Sequence, residues 1–262
     1  MEPFAKDRVA LITGGARGIG FASARNLSRA GVKVALVDNS GDRIEESARR
    51  LTDETGTPAI GIRADISVES DVARMVAEAS ANFGKIDMFL NSAAILADNL
   101  FLDSTPAEWD RMFKVCLIGP MLCLRAILPG MVERKYGRVV CMASDSARIG
   151  QARLSYYAAA KGGVVALVKS VAQEVGRSGI TLNVVSPGAT NTELRQEREE
   201  SMLKQMGQEK YDRRVKAVLK MYPTGRVGEP ADAAAMITFL LSDQAAWVTG
   251  QVISVNGGFV ML

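Results

Sequence analysis

Short apolar runs rich in β-branched residues recur along the chain and alternate with longer segments of helical spacing. In order, the runs are RVALI, KVALV, PAIGI, IDMFL, GRVVCM, ITLNVV and QVISV. A continuous apolar run predicts a strand buried on both faces, and strands that alternate with helices predict a parallel sheet covered on both sides. The pattern therefore predicts a doubly wound α/β fold with a seven-stranded, mostly parallel sheet.

One segment departs from this alternation. Over residues 190–222 the run TELRQEREESMLKQMGQEKYDRRVKAVLKMY is strongly charged and has helical rather than strand-like spacing. We interpret it as a helical lid over a substrate site. No repeat, low-complexity tract or Pro/Gly-rich linker interrupts the 262 residues, so we expect one domain over residues 1–262.

Composition narrows the function classes. A net charge of +3 and 6% aromatic residues do not favour nucleic acid as a partner. The start of the chain, MEPFAKDRVALITGG, lacks the basic and long apolar regions of a secretory signal, and no later apolar run approaches the ~20 residues of a membrane span. We therefore expect a soluble cytoplasmic protein.

Histidine and cysteine usage limits the available chemistry. The chain has no histidine, which excludes Ser-His and Cys-His nucleophilic sites and histidine-ligated metals. Its three cysteines, Cys116, Cys123 and Cys141, show no C-x-x-C spacing, so we expect neither disulfides nor a metal site. Chemistry must then rely on Tyr, Lys, Ser, Asp or Glu.

The stretch SYYAAAK, Ser155 to Lys161, contains the first candidate chemistry. In a helix, residues four apart share a face, which pairs Tyr157 with Lys161 and turns Tyr156 roughly 100° away. An ammonium beside a phenol stabilises the phenolate and lowers a pKa that is otherwise near ~10. We interpret Tyr157 as a proton donor or acceptor tuned by Lys161. The alternative is an ordinary helix face with one amphipathic tyrosine and one solvated lysine.

A glycine-rich turn follows the first predicted strand. The stretch TGGARGIG, Thr13 to Gly20, joins RVALI to the helical pattern FASARNLSRAG. Gly14, Gly18 and Gly20 allow the backbone to approach a pyrophosphate closely, and the N-terminus of the next helix offers free N–H groups and a favourable dipole. A strand before the turn, a helix after it and an acidic residue about twenty positions on predict dinucleotide binding.

That acidic residue is Asp38, at the end of the second predicted strand. Its carboxylate can accept hydrogen bonds from two ribose hydroxyls and would repel a 2′-phosphate, so we expect NAD rather than NADP. Alternatives stay open, because Arg17 could meet a 2′-phosphate and Asp38 could be an ordinary turn aspartate in DNSG. Asp65, after the third strand, could accept the adenine amino group, cap the following helix, or do both.

Together these motifs resemble the short-chain dehydrogenase/reductase family over essentially the whole chain. The family's glycine-rich signature and Y-x-x-x-K pair are matched by Thr13, Gly14, Gly18, Gly20, Tyr157 and Lys161. The resemblance implies a Rossmann fold, the cofactor NAD and hydride transfer to or from a secondary alcohol or ketone. It also implies a homotetramer that forms through the long fourth and fifth helices.

The resemblance also assigns the other site residues. It implies a catalytic serine about thirteen residues before the tyrosine, at Ser144 in VVCMASDSARIG, with Ser146 as the alternative. Tyr157 would exchange the proton, Ser144 would hydrogen-bond the substrate oxygen, and Lys161 would bind the nicotinamide ribose. The remaining cofactor contacts that it implies are Ile19, Ile66, Asn91, Ala93, Pro187, Gly188, Thr190 and Thr192.

Three positions depart from the family pattern. Asn91 begins Asn-Ser-Ala-Ala where the family has Asn-Asn-Ala-Gly, and Thr190 replaces the usual Ile or Val. Cys116, in VCLIG, replaces a catalytic-site asparagine that supports a water leading to the lysine. Since that role rests substantially on the main-chain carbonyl, we expect Cys116 to weaken the proton relay without abolishing it. A nucleophilic thiol is the less favoured alternative.

The substrate is less defined than the reaction. The stretches ASDSARIG and PGATNTEL are similar to family members that oxidise linear or cyclic 3-hydroxyacyl-CoA, such as 2-hydroxycyclohexanecarboxyl-CoA dehydrogenases. An anionic substrate of that kind would suit Arg148, Arg153 or the basic half of the lid, although a solvated helix face explains the latter equally well. The cations in that half are Lys210, Arg213, Arg214, Lys216 and Lys220.

Other functions stay open at this point. 3-Oxoacyl-carrier-protein reductase and hydroxysteroid dehydrogenase activities fit the same motifs. Cys116 and the altered turn at Asn91 also allow a catalytically silent NAD-binding scaffold. The intact set of Ser144, Tyr157 and Lys161 favours an active enzyme.

Overall fold

The structure, a computed structural model, describes residues 4–261. Seven strands form one sheet in the order β3-β2-β1-β4-β5-β6-β7, and within the described chain every neighbouring pair is parallel. The strands are β1 Val9–Thr13, β2 Lys33–Asp38, β3 Ala59–Arg63, β4 Met88–Asn91, β5 Gly137–Met142, β6 Ile180–Pro187 and β7 Val252–Val255. The predicted α/β sheet is confirmed.

Helices connect the strands and cover both faces of the sheet. They are α1 Gly18–Arg29, α2 Gly41–Thr55, α3 Glu69–Phe83, α4 Pro106–Phe113, α5 Gly119–Glu133, α6 Ser146–Ile149, α7 Ser155–Val175, α8 Glu193–Met206, α9 Gln208–Lys220 and α10 Pro230–Leu241. A π-helical turn, Lys114–Ile118, joins α4 to α5. The predicted doubly wound Rossmann fold is therefore also confirmed.

Alternation along the strands divides the core in two. On β1, Leu11 packs on one face with Met75 of α3 and Ile127 of α5. Its neighbour Ile12 packs on the other face with Leu27 of α1. Successive side chains of a strand point to opposite faces, so a strand that is apolar throughout requires helices on both sides.

The order of the strands fixes where a ligand can bind. Because β1 lies between β2 and β4, the direction of winding reverses there, and the chain leaves a crevice at the carboxyl ends of these strands. Thr13 ends β1 and Asn91 ends β4, and the Thr13 hydroxyl donates a 3.0 Å hydrogen bond to Asn91 Oδ1. The glycine-rich turn begins directly after this contact.

One expectation about apolar segments needs correction. The continuous helical segment Pro106–Glu133 is long and apolar enough, by length and composition alone, to cross a membrane. Core helices of globular proteins pass the same test. In this fold Cys123, Leu124 and Met131 of the segment are buried against the sheet, so it packs as a core helix.

The charged segment over residues 190–222 is helical, as predicted. It forms α8 and α9, which meet at Gly207, and Thr192 caps α8 by accepting a 3.3 Å hydrogen bond from Arg195 N. Both helices contribute side chains to the cavity described below. The assignment of one domain to residues 1–262 stays a prediction.

Candidate active site

A cavity of about 1050 Å³ lies along the carboxyl ends of the central strands. It is bordered by the glycine-rich turn, the ends of β2 to β6, the start of α7 and helices α8 and α9. The predicted site residues that line it are Gly14, Arg17, Gly18, Ile19, Asp38, Asp65, Ile66, Ala93, Ser144, Tyr157, Lys161, Pro187, Gly188, Thr190 and Thr192. Gly20, Asn91 and Cys116 lie behind this wall.

The glycine-rich turn has the backbone conformation that its sequence predicts. Gly14 and Gly18 have φ angles of +64° and +57°, in the left-handed region that side chains disfavour. A Cβ at Gly14 would lie 2.7 Å from Ala93 N, and one at Gly20 would lie 2.1 Å from Gly14 O. Gly20 therefore permits close packing of α1 against the turn rather than direct contact with a ligand.

The start of α1 suits an anionic ligand. Arg17 occupies the N-cap position, and no side chain within the described residues caps the helix. The first backbone N–H groups of a helix have no partner inside it, and they carry the positive end of the helix dipole. Because this helix end faces the cavity beside Gly14 and Gly18, it is suited to a pyrophosphate.

Two acidic residues mark the far end of this half of the cavity. Asp38 Oδ1 accepts a 2.8 Å hydrogen bond from the Ser40 hydroxyl, and Asp65 Oδ1 accepts one of 2.7 Å from the Ser67 hydroxyl. Asp38 thus makes the turn contact considered as its alternative, and its Oδ2 accepts no hydrogen bond from described residues. The helix-capping interpretation of Asp65 is wrong, because Val68 is the N-cap of α3 and Asp65 lies three residues before it.

The Arg17 guanidinium forms an ion pair with a residue of α8. Its Nη1 pairs with Glu197 Oε1 on α8. This pairing occupies the group that sequence analysis considered as a partner for a 2′-phosphate. It also connects the glycine-rich turn directly to α8.

The serine, the tyrosine and the lysine come from two neighbouring elements. Ser144 follows β5, while Tyr157 and Lys161 lie one turn apart in the first part of α7. Lys161 is buried at 1% exposure, and its Nζ donates a 2.8 Å hydrogen bond to Met142 O of β5. The same Nζ lies 5.9 Å from the centre of the Tyr157 ring. The amine therefore also ties α7 to the strand that carries Ser144.

The pKa of Tyr157 is raised above that of an ordinary tyrosine, opposite to the direction predicted from the spacing. Burial is the main cause, since it disfavours the phenolate, and the Cys116 thiol adds to it. A hydrogen bond with Ser144 and the charge of Arg198 act in the other direction. Burial also lowers the pKa of Lys161, which weakens the amine as a source of positive charge. The phenol therefore holds its proton at neutral pH.

Ser144 is oriented by its neighbours. The Ser146 hydroxyl donates a 2.9 Å hydrogen bond to Ser144 Oγ, and Ser146 N donates one of 3.3 Å to the same atom. Ser146 is 2% exposed, whereas Ser144 is half-buried and faces the cavity. Because Ser144 Oγ accepts both bonds, its own proton can be directed toward the Tyr157 oxygen or toward a ligand beside it. This geometry favours Ser144 over Ser146 as the residue that meets the substrate.

The residue between the two serines was missed by sequence analysis. Asp145 is 2% exposed and accepts hydrogen bonds from the Ser186 hydroxyl at 2.8 Å and from Asn256 Nδ2 at 2.6 Å. Its backbone N donates to Pro187 O at 3.3 Å. Asp145 thus joins the Ser144 segment to the ends of β6 and β7. Asp145 stands in the stretch ASDSARIG, but its role could not be predicted because its hydrogen-bond partners are distant in sequence.

The predicted residues behind the cavity wall have structural contacts. Asn91 Oδ1 accepts from Thr13, while its buried Nδ2 has no hydrogen-bond partner among the described residues. Cys116 lies fully buried in the π-helical turn, where its thiol donates to Ile95 O at 3.6 Å. Tyr156 packs beside Cys116 and does not line the cavity. We therefore place the Cys116 thiol outside direct contact with the cavity, in contrast to its assignment as a catalytic residue.

The loop after β6 completes the wall opposite Ser144. Gly188 lies against Asn256, where an added Cβ would be 3.0 Å from the asparagine Cβ. Thr190 makes a parallel bridge with Gly228, which fixes the position of its backbone. Thr192 lines the cavity and also caps α8.

The cations predicted to face a substrate are mostly elsewhere. Of the five in the basic half of the charged segment, only Arg214 lines the cavity, and Arg148 and Arg153 do not line it. Arg195 and Arg198 of α8 do line it, although the sequence did not single them out. Helical spacing could have distinguished Arg214 from the other cations of the basic half. Arg214, Val218 and Met221 share one helix face, and all three line the cavity.

A parallel sheet with this turn and these polar groups at its carboxyl edge defines a dinucleotide-binding oxidoreductase. A family model described as enoyl-(acyl carrier protein) reductase matches residues 14–260. The chain is 31% identical over 255 residues to the 3-oxoacyl-(acyl-carrier-protein) reductase FabG of Escherichia coli (strain K12), covering 97% of this chain and 98% of that protein.

Two further comparisons agree. The acetoacetyl-CoA reductase of Shinella zoogloeoides is 35% identical over 251 residues, covering 96% of this chain and 98% of that protein. A crystal structure of levodione reductase superposes with a TM-score of 0.90 at 36% identity, covering 97% of each chain. The chain belongs to the short-chain dehydrogenase/reductase family and is an oxidoreductase of the class that acts on CH–OH groups.

Proposed function

We propose that this oxidoreductase transfers hydride between NAD(H) and a secondary alcohol or the corresponding ketone. One observation carries the proposal: Ser144, Tyr157 and Lys161 line the same cavity as the glycine-rich turn. The absence of histidine from the sequence leaves the phenol of Tyr157 as the cavity's best candidate for proton exchange.

The residues divide the work as follows. A bound nicotinamide cofactor supplies or accepts the hydride. The Tyr157 hydroxyl exchanges the accompanying proton with the substrate oxygen, and Ser144 donates a hydrogen bond to that oxygen as negative charge develops. Lys161 uses one N–H on Met142 O, which leaves two donors for the nicotinamide ribose and for Tyr157. Burial raises the pKa of Tyr157 and keeps the phenol protonated, so in the reducing direction it can donate its proton to the substrate oxygen.

The preference for NAD rests on charge at the end of β2. Asp38 Oδ2 accepts no hydrogen bond from the residues that the structure describes and can receive a ribose hydroxyl, and the carboxylate would repel a 2′-phosphate. The pairing of Arg17 with Glu197 supports the same choice, since it occupies a cation that would otherwise favour NADP.

The candidate substrate is a linear or cyclic 3-hydroxyacyl-CoA, or its 3-oxo counterpart. The similarity to an acetoacetyl-CoA reductase supports this class. The similarity to FabG, which is named for an acyl-carrier-protein substrate, keeps 3-oxoacyl-carrier-protein reduction as an alternative. Hydroxysteroid dehydrogenase activity also remains an alternative.

Assembly as a homotetramer and a cytoplasmic location stay predictions. The exposed apolar side chains of Ile118, Met121 and Val132, in and beside α5, support association through this helix.

Tyr157→Phe tests the assigned proton donor. We expect it to lower kcat by about 10²–10⁴-fold, the usual contribution of a positioned acid–base group, while NADH binding persists. Tyr156→Phe is the matched control, because the Tyr156 hydroxyl is buried without a partner among described residues and does not line the cavity. The assay follows NADH oxidation against 3-oxoacyl-CoAs, ring ketones and steroid ketones.

Unchanged turnover in Tyr157→Phe would reject the assignment. If instead the unmodified protein bound NADH tightly and turned over none of these ketones, the catalytically silent scaffold would be the better description.

A further inference from the structure

Arginines of α8 and α9 form a second functional surface in the cavity. We propose that Arg195, Arg198 and Arg214 form a subsite for an acidic group of the substrate, so that the enzyme selects hydroxy or oxo compounds that carry a carboxylate, sulfonate or phosphate. This inference rests on the proposed function and specifies its substrate class.

The three arginines share the cavity with the reacting groups. All three line it together with Ser144 and Tyr157. Their side chains are only 21%, 19% and 26% exposed, in the same order. Charges in such a partly enclosed site interact more strongly than they do on an open surface, because less water screens them.

Arg198 pairs with an acidic residue that does not line the cavity. The Asp98 carboxylate, at 13% exposure, accepts hydrogen bonds from both Arg198 and Arg153. Arg153 also donates from Nη2 to Asp98 O at 3.2 Å. Asp98 can thus fix the orientation of Arg198, while Arg153 offsets its negative charge. Arg198 and Tyr157 line the same cavity, and the charge of Arg198 acts to lower the pKa of Tyr157.

Arg195 and Arg214 share a second carboxylate. Glu199 is 9% exposed and accepts from Arg214 Nη1 at 2.7 Å. Arg195 Nη2 lies 3.4 Å from the other Glu199 oxygen, but the Arg195 guanidinium makes no hydrogen bond to any described residue. Its donors are therefore available to an anion in the cavity.

The cluster formed by these arginines and their two carboxylate partners carries a surplus of positive charge. Four guanidinium groups, those of Arg153, Arg195, Arg198 and Arg214, are paired with only the two carboxylates of Asp98 and Glu199. Elsewhere along the cavity, Arg17 pairs with Glu197 and Lys114 with Asp110. The other charged lining residues are Asp38, Asp65, Glu108, Asp145, Glu193, Arg111 and Lys161, so the surplus belongs to this cluster of arginines and not to the cavity as a whole. An incoming anion would neutralise charge here rather than add to it.

Paired substrates test the subsite. Acetoacetate and its neutral methyl ester form one pair, and acetoacetyl-CoA and the neutral N-acetylcysteamine thioester form the other. We expect Arg195→Gln and Arg214→Gln each to lower kcat/KM for the anionic member by about 10-fold or more relative to its neutral partner. A loss confined to the first pair identifies a compact acid, and a loss confined to the second identifies the coenzyme phosphates.

Arg213→Gln is the matched control. Arg213 is the neighbouring cation of α9, is 70% exposed and pairs with Glu209 on the surface. We expect it to change neither ratio. Equal losses for charged and neutral members in the Arg195 and Arg214 variants, or no losses at all, would overturn the subsite even if Tyr157→Phe abolished turnover. Calorimetric binding of acetoacetate and of acetoacetyl-CoA to the NAD⁺ complex, which has no hydride to transfer to a ketone, makes the same comparison without turnover, so failure of the proposed reaction stays distinguishable.

Discussion

Asp145 allows a quantitative test of how the Ser144 segment is held. Asparagine has the same shape, so Asp145→Asn leaves no cavity. Its amide oxygen can still accept from Ser186, but its NH2 group then faces Asn256 Nδ2, which now donates to Asp145 at 2.6 Å. A buried hydrogen bond to a charged group contributes about 1.5–3 kcal/mol. Asn256 Nδ2 retains Val260 O at 2.9 Å, so we expect the free energy of unfolding to fall by about 2 kcal/mol.

Thermal unfolding followed by circular dichroism measures this loss. For a chain of this size, 1 kcal/mol corresponds to about 2–4 °C, so Tm should fall by roughly 4–8 °C. Asp212→Asn is the control, because Asp212 accepts a 2.8 Å hydrogen bond from Gln208 on the exposed face of α9. Its Tm should change by less than about 2 °C. If both variants unfold at the temperature of the unmodified protein, Asp145 does not stabilise the segment as inferred.

Two further predictions concern the cofactor and the cysteines. The unmodified protein should use NAD better than NADP, and Asp38→Ala should narrow the difference, because it removes the charge that repels a 2′-phosphate; equal use of both cofactors before mutation would contradict this. Burial raises the pKa of Cys123 and of Cys141 to about 12, so neither thiol should react with Ellman's reagent at pH 8 until the protein unfolds. Rapid labelling of either cysteine in the folded protein would show that the burial is wrong.

The sheet and the glycine-rich turn could be predicted because their signals are local. An apolar run such as VALIT of β1 is buried at every position, and this burial is what a continuous run predicts. The turn needs glycines at fixed spacing, since Gly14 and Gly18 have positive φ angles. The same locality applies to Tyr157 and Lys161, which helical spacing alone brings to one face.

The groups that surround these residues could not be predicted, because their partners are remote in sequence. Asp98 meets Arg198 across 100 residues, and Asp145 meets Asn256 across 111. The direction of the Tyr157 pKa was predicted wrongly for a related reason. The spacing identified the nearby amine but gave no measure of burial, and burial is the larger influence.

The charged segment of α8 and α9 was predictable only in part. Its helical structure and net basic half were predictable, but the face that turns toward the cavity depends on how α9 packs. Arg214 faces inward, while Arg213 faces solvent. The amino-acid composition cannot distinguish the two arginines, because both contribute the same charge.

The bond from Lys161 Nζ to Met142 O has an evolutionary consequence. It joins α7 to β5, so the lysine beside the proton-exchanging tyrosine is anchored in the buried core of the molecule. The arginines that face the substrate sit on α8 and α9, whose buried residues are few. Mutations in these two helices can therefore alter which molecules are accepted while the reaction itself is conserved, which makes new specificities accessible by a few surface changes.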